Sequence, residues 1–226
     1  MIKYVKKTVF NMKSDALVNT INCDGVMGAG LALEFSLRYP NMFKQYEKDC
    51  KNGKVKVGEI ITYKDSGDLI INFPTKDHWK YPSRVSWISS GLDYFVNHYK
   101  EWGIASVSIP PLGCNYGGLD FEKEVKPLMD NKLAKLDIEV YICLDPGIAE
   151  GKEKEMLDLF NDSNLDFICK NLKIRGKAYK GLMNHEQINR FYEIKKIDGV
   201  GLTTYKKLFS YFYDYKDSHY TQPSLF

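Results

Sequence analysis

The chain has no CxxC pair. Its 226 residues hold five cysteines, Cys23, Cys50, Cys114, Cys143 and Cys169, odd in number and widely scattered. That spacing excludes a disulfide-stapled scaffold and a zinc ribbon, and a reducing, cytoplasmic compartment is expected. No histidine stands at zinc-ligand spacing from another His or Cys, so no structural metal is expected. An apolar run long enough to span a bilayer is missing, as is an apolar opening segment of the signal-peptide kind, so no membrane association is expected. Neither sign of charge dominates: 32 basic residues face 29 acidic ones, a net +3, so the chain as a whole is no polyelectrolyte.

Short apolar runs alternate with helical patterns up to about Leu144. Strands are expected at Ala16–Thr20, within "GEIITY", at Ile70–Phe73 ending on Pro74, at Ala105–Ile109 and within "IEVYICL". Lys64 to Gly67 should join the second and third of these as a hairpin. "MGAGLALEFSLRYP" reads as a helix that Pro40 ends. "SWISSGLDYFVNHYKEW" places Ile88, Leu92, Phe95, Val96, Tyr99 and Trp102 on one stripe. A further helix is expected to start near Lys123, with Pro127 in its first turn and Asp120 acting as a cap. Strands alternating with helices predict an α/β layered domain, which places ligands outside the carboxyl ends of its strands.

Composition changes at Asp145. "DPGIAEGKEKE" reads as a linker leading into an acidic helix, and no confident strand follows. Residues 170–226 carry eleven basic residues against five acidic ones, with Tyr and Phe interleaved. Two domains are therefore expected, 1–147 and a small helical, basic, aromatic-rich one at 148–226.

Two glycine-rich stretches follow strands: "NCDGVMGAG", Asn22 to Gly30, and "PPLGCNYGGL", Pro110 to Leu119. Glycines let backbone amides approach a bulky anion, and a following helix N-terminus adds positive potential. Neither stretch has the dinucleotide or P-loop spacing. One such loop alone would read as a tight turn; two on one rim could clamp a diphosphate from both sides. Between them lies "IINFPTKDHWK", a strand whose exit carries Thr75, Lys76, His78 and Trp79 in place of ordinary turn residues.

With these three stretches in this order, Met1 to about Leu144 resembles the macrodomain, the ADP-ribose-binding fold. "NFPTKDHW" is similar to the branch containing the DarG antitoxins and the terminal ADP-ribose protein glycohydrolases. The resemblance implies a three-layer α/β/α domain with a mixed, mostly parallel sheet. It also implies ADP-ribose as ligand and product, no cofactor, and removal of ADP-ribose from a modified macromolecule. Lys76 matches the family's catalytic lysine. It would act as a neutral amine on the anomeric carbon or as a charged stabiliser, and the sequence leaves both routes open.

ADP-ribose would meet Asn22, Cys23, Val26, Met27, Gly28 and Gly30 in the first loop and Thr75 before the lysine. It would meet Gly113, Cys114, Asn115, Tyr116, Gly117, Gly118 and Leu119 in the second loop. Thr8 and Val9 would stand on the adenine side, with Thr8 where many relatives have an aspartate. The protein-directed glycohydrolases pair their lysine with an aspartate in the second loop, and here that position is Gly117. This favours ADP-ribosylated DNA, with thymidine one candidate base, over protein modified on acidic side chains. A reader of ADP-ribose without turnover is a further alternative. Trp79 would stack on a base or pack the loop, and Cys114 reads as a small apolar wall more than a nucleophile.

"IKKIDGVGLTTYKKLF" resembles a helix–hairpin–helix, which implies phosphate contacts through Gly199, Gly201, Lys206 and Lys207. The competing reading is a two-helix cap with an aromatic core. A cognate ADP-ribosyltransferase toxin is the protein partner implied by the DarG resemblance.

Overall fold

A computed structural model describes residues 1–215; Lys216 and Asp217, counted in the charge balance, lie outside the described residues. The chain divides into two compact units, Met1–Pro146 and Gly147–Phe226.

The first unit is built on a six-stranded sheet ordered β1-β6-β5-β2-β4-β3. Its strands are β1 (Ile2–Lys6), β2 (Ala16–Asn22), β3 (Ile61–Asp65), β4 (Asp68–Lys76), β5 (Ser106–Ile109) and β6 (Glu139–Leu144). Every pairing is parallel except β3 with β4. Alternation along β2 sends Ala16 and Val18 into one core and Leu17 and Ile21 into the other. Helix α3 (Val85–His98) and α4 (Lys126–Leu133) close the first face through Ile88, Leu92, Phe95, Met129 and Leu133. Helix α1 (Gly30–Arg38) and α2 (Pro40–Lys51) close the second through Phe35, Met42 and Tyr46. The architecture is a three-layer α/β/α sandwich with a mixed, largely parallel sheet.

Several expected boundaries are corrected. Pro74 does not end its strand, because β4 runs on to Lys76. Strand β3 pairs with β4 only as far as Asn72, so Pro74 has a partner strand on one side alone and its missing N–H is tolerated. Strand β2 likewise extends past Thr20 to Asn22, with a register shift between Ile21 and Asn22 opposite this stretch. The hairpin turn is shorter than expected, with Ser66 and Gly67 in left-handed conformations between β3 and β4. Pro40 both follows α1 and opens α2, a helix not anticipated from sequence. The turn before α4 starts at Phe121 as a wide i→i+5 turn over Phe121–Val125, not near Lys123. Asp120 caps it by accepting from the Lys123 amide at 3.0 Å, and Pro127 stands in the first turn of α4. Tyr99 and Trp102 continue the buried stripe beyond the end of α3.

The second unit is helical, with α5 (Gly151–Asp162), α6 (Leu165–Asn171), α7 (Gly176–Met183), a 3-10 segment at Phe191–Lys196 and α8 (Leu202–Tyr213). Its core is aromatic. Phe160 meets Phe191 and Phe212 edge-on at 6.2 and 5.6 Å, and Phe191 meets Phe209 at 5.8 Å. A buried ion pair, Arg190 Nε to Glu153 Oε1 at 2.9 Å, joins the 3-10 segment to α5, and the Phe191 amide donates to the same carboxylate at 3.0 Å. Both charges are thus paired and hydrogen-bonded, which burial requires.

Candidate functional site

Strand order decides which loops meet. Strands β5, β2 and β4 are neighbours and mutually parallel, so their carboxyl ends lie side by side. The segments leaving those ends are the first glycine loop, the stretch after Lys76 and the second glycine loop. They enclose a cavity of about 650 Å³, within the usual size range of a small-ligand site.

Of the residues singled out from sequence, Asn22, Val26, Gly28, Gly30, Thr75, Lys76, Trp79, Gly113, Cys114, Asn115, Tyr116 and Gly117 line this cavity. Cys23, Gly118, Leu119, Thr8 and Val9 lie outside its walls, as does Met27, whose side chain is buried in the core beneath α1 and α2. Val9 is buried in that same core. Sequence reasoning missed Ala29, Leu31 and Ala32, which bring the N-terminal turn of α1 to the cavity. Their signal was present, since a glycine loop opening directly into a helix turns that helix's free amides toward the ligand. Thr20, Ile21, Lys80, Pro110 and Pro111 complete the lining.

The first loop is organised by Asn22. Its amide donates to the Val26 carbonyl at 2.6 Å and accepts from the amides of Asp24 (2.9 Å) and Val26 (3.3 Å). The buried Tyr46 hydroxyl braces it from α2 at 3.0 Å. The Asn22 side chain is therefore engaged in shaping the loop, with one of its two amide N–H donors committed to the Val26 carbonyl.

Lys76 is the last residue of β4. Its ammonium donates to the main-chain carbonyl of Tyr116 in the second loop and, at 3.5 Å, to that of Trp79. Burial lowers its pKa below the ordinary lysine value. The stretch that follows is pinned from both sides. The Trp79 amide donates to Asp24 Oδ2 at 2.7 Å, the Cys23 amide to the Asp77 carbonyl at 3.2 Å, and the Ser83 amide to the Gly117 carbonyl at 2.9 Å. Asp24 was not among the residues expected here, because its bond to Trp79 links positions 55 apart in sequence.

Two glycines stand at close approaches. The φ of Gly30, +55°, is the left-handed backbone that favours glycine, and a Cβ there would lie 2.9 Å from the edge of the exposed Tyr116 ring. A Cβ on Gly117 would lie 2.5 Å from Ser83 Oγ and 4.0 Å from Lys76 Cε. A side chain at 117 would thus adjoin the lysine, but Ser83 fills that room. Burial raises the thiols of Cys23 and Cys114 to about 12 and about 11, which makes both poor nucleophiles. Among the described residues no cluster of three or more His, Cys, Asp or Glu could hold a metal ion, and no helix is long and apolar enough to cross a membrane.

In the second unit Gly199 (φ +78°) packs against the backbone of Lys177 and Ala178, and Gly201 stands exposed at the N-cap of α8. Lys206 is half-buried, whereas Lys207 is exposed and donates to the Leu172 carbonyl at 3.0 Å, satisfying the end of α6.

Comparison with known proteins places this geometry. The Macro domain family model matches residues 18–127. The DNA ADP-ribosyl glycohydrolase of Mycobacterium tuberculosis is 45% identical over 148 residues, which are 62% of this chain and 42% of that protein. The chain therefore spans less than half the length of this relative. Among solved structures, the macrodomain of Mycobacterium tuberculosis DarG is 42% identical, with a TM-score of 0.58 over 64% of this chain and 99% of its own. Thermosipho africanus DarTG in complex with ADP-ribose is 33% identical, with a TM-score of 0.60 over 66% of this chain and 43% of its own. The chain belongs to the macrodomain family and is closely related to the DarG-type ADP-ribosyl glycohydrolases.

Proposed function

We propose that this chain is an ADP-ribosyl glycohydrolase that removes ADP-ribose from ADP-ribosylated DNA, with Lys76 as its catalytic residue. The observation that carries this reading is the placement of Lys76 on the cavity wall, beside the second glycine loop, with its pKa lowered by burial. The N-terminal turn of α1 and the amides of the two glycine loops receive the diphosphate. The distal ribose then faces the lysine. As the free amine, Lys76 attacks the anomeric carbon: a C–N bond to the lysine forms while the bond to the base breaks. The electron pair leaves with the base, which takes up a proton. Water then releases ADP-ribose and regenerates the amine. Burial shifts the lysine toward the free-amine form that this route uses.

Gly117 bears on the substrate. The protein-directed relatives place an aspartate at this position, whereas here Ser83 occupies the space and the lysine's partners are main-chain carbonyls. The mycobacterial relative is a DNA ADP-ribosyl glycohydrolase, which agrees with DNA as the modified polymer. The helical unit is taken to contact the DNA backbone through the α8 N-terminus and Lys206. A cytoplasmic setting, suited to unpaired cysteines, and a cognate ADP-ribosyltransferase as partner belong to the same reading.

Hydrolysis of an ADP-ribosylated single-stranded oligonucleotide, beside a protein modified on acidic side chains, tests the proposal. Lys76→Ala should keep ADP-ribose binding and lose at least 100-fold in release from DNA. Unchanged turnover in that variant would sink the mechanism. Binding without release by the unaltered protein would make the chain a reader.

A further inference from the structure

Three large aromatic side chains stand unusually exposed near the cavity: Trp79 at 48%, Tyr81 at 64% and Tyr116 at 70%. Trp79 and Tyr116 line the cavity itself, as does Lys80. A concentration of exposed rings at one rim calls for a partner. These rings are also held in place. The His78 imidazole stacks on Trp79 with 6.1 Å between centroids and 19° between planes, and it contacts the Tyr81 ring at 5.0 Å. Asp24 fixes the Trp79 amide, and the His78 Nδ1 accepts from the Lys80 amide at 3.2 Å. The segment thus carries a braced pair of exposed rings, Trp79 and Tyr81.

Cations are interleaved with these rings. The Lys80 ammonium lies 5.2 Å from the Trp79 ring centre, and the exposed Arg84 guanidinium lies 4.8 Å from that of Trp87. Two carboxylates share the segment. Asp24 is occupied by the Trp79 amide and lies 3.9 Å from His78, and Asp77 is exposed. Exposed flat rings alternating with cations suit a polymer of flat bases joined by phosphates. A duplex would hide its base faces within its own stack, so the fit is to a single strand.

We propose that Trp79, Tyr81 and Tyr116, with Lys80 and Arg84, form a stacking platform for the unmodified bases that flank the ADP-ribosylated nucleotide of a single strand. This rests on the reading of the site as a DNA-directed glycohydrolase, and it extends recognition from ADP-ribose to its neighbours. Tyr81 and Arg84 lie outside the cavity lining, so their contribution can be tested apart from ADP-ribose binding.

The test uses the full chain and two probes: an unmodified single-stranded oligothymidylate, and an oligonucleotide carrying one ADP-ribose. Tyr81→Ala should bind the unmodified strand at least fivefold more weakly, and Tyr81→Ala with Arg84→Ala more weakly still. Free ADP-ribose should bind the Tyr81→Ala protein as it binds the unaltered one. The modified oligonucleotide should show a raised KM with little change in kcat, whereas an ADP-ribosylated mononucleoside should be hydrolysed equally by both proteins. Unchanged affinity of Tyr81→Ala for the strand, or an equal loss of single-strand and duplex affinity in that variant, would overturn the platform. If strand binding depends on Tyr81 but no ADP-ribose is ever released, the glycohydrolase reading fails and the platform stands. Tyr81 is largely exposed, so loss of folding is not expected to obscure the result.

Discussion

The Lys76 ammonium donates to the carbonyl of Tyr116, which ties the last residue of β4 to the second glycine loop. The same loop is held from the other side by the Ser83 amide on the Gly117 carbonyl. The lysine, the ligand loop and the stretch leading into α3 are therefore tied to one another, and three predictions follow from how they are joined.

The first concerns pH. Burial disfavours the charged form of Lys76, so its pKa lies below the ordinary lysine value of 10.5. Activity through the free amine should rise with pH as the ammonium loses its proton, with its midpoint below that value. A kcat profile on modified DNA checks this. A rate that falls across that range would instead assign the charged form to the reaction.

Asp24 provides the second. It accepts from the Trp79 amide, and the Trp79 carbonyl in turn lies 3.5 Å from the lysine nitrogen. Asp24→Ala removes that acceptor and should lower kcat about tenfold, with a smaller change in ADP-ribose affinity measured by calorimetry. Asp24→Asn keeps an acceptor oxygen and should recover part of the loss. Equal loss in both variants would mean that the charge, not the hydrogen bond, matters.

Gly117 provides the third. Gly117→Asp pushes a Cβ against Ser83 and should destabilise the unit by about 1–3 kcal/mol, the ordinary cost of overpacking. Combining it with Ser83→Gly should restore most of the thermal midpoint. A Gly117→Asp protein as stable as the unaltered one would show that Ser83 does not control this space.

The fourth lies in the helical unit. Lys206→Glu should weaken DNA binding and flatten its dependence on salt, since each lost phosphate contact removes released counterions. Lys207→Glu should in addition lower stability, because Lys207 satisfies the Leu172 carbonyl. A salt titration beside thermal unfolding separates the two effects. DNA affinity untouched by either change would leave the unit without a nucleic-acid role.

Much of the site was legible in the chain. The two glycine loops, Thr75 and Lys76 stand on one cavity as the motifs indicated. Errors arose where local rules met tertiary context. Pro74 reads as a strand terminator, yet β4 continues through it because β3 has already ended at that level of the sheet. Met27 sits in a ligand-loop motif but is buried in the core, since nothing local distinguishes the two directions its side chain can take. The aromatics interleaved along the helical unit gave no local sign of which would be buried, and Phe160, Phe191, Phe209 and Phe212 prove to form its core.

By itself, the sequence determined the features whose physics is local: alternating apolar runs, glycines that admit a close anion, a helix opening directly behind the first loop. It also determined that no acidic side chain stands at position 117. Only the tertiary structure decided that β5, β2 and β4 lie side by side, that Asp24 holds Trp79, and that the edge of the Tyr116 ring approaches Gly30. Those relationships join residues far apart in the chain. They follow from strand order and the packing of both sheet faces, which no short window of sequence contains.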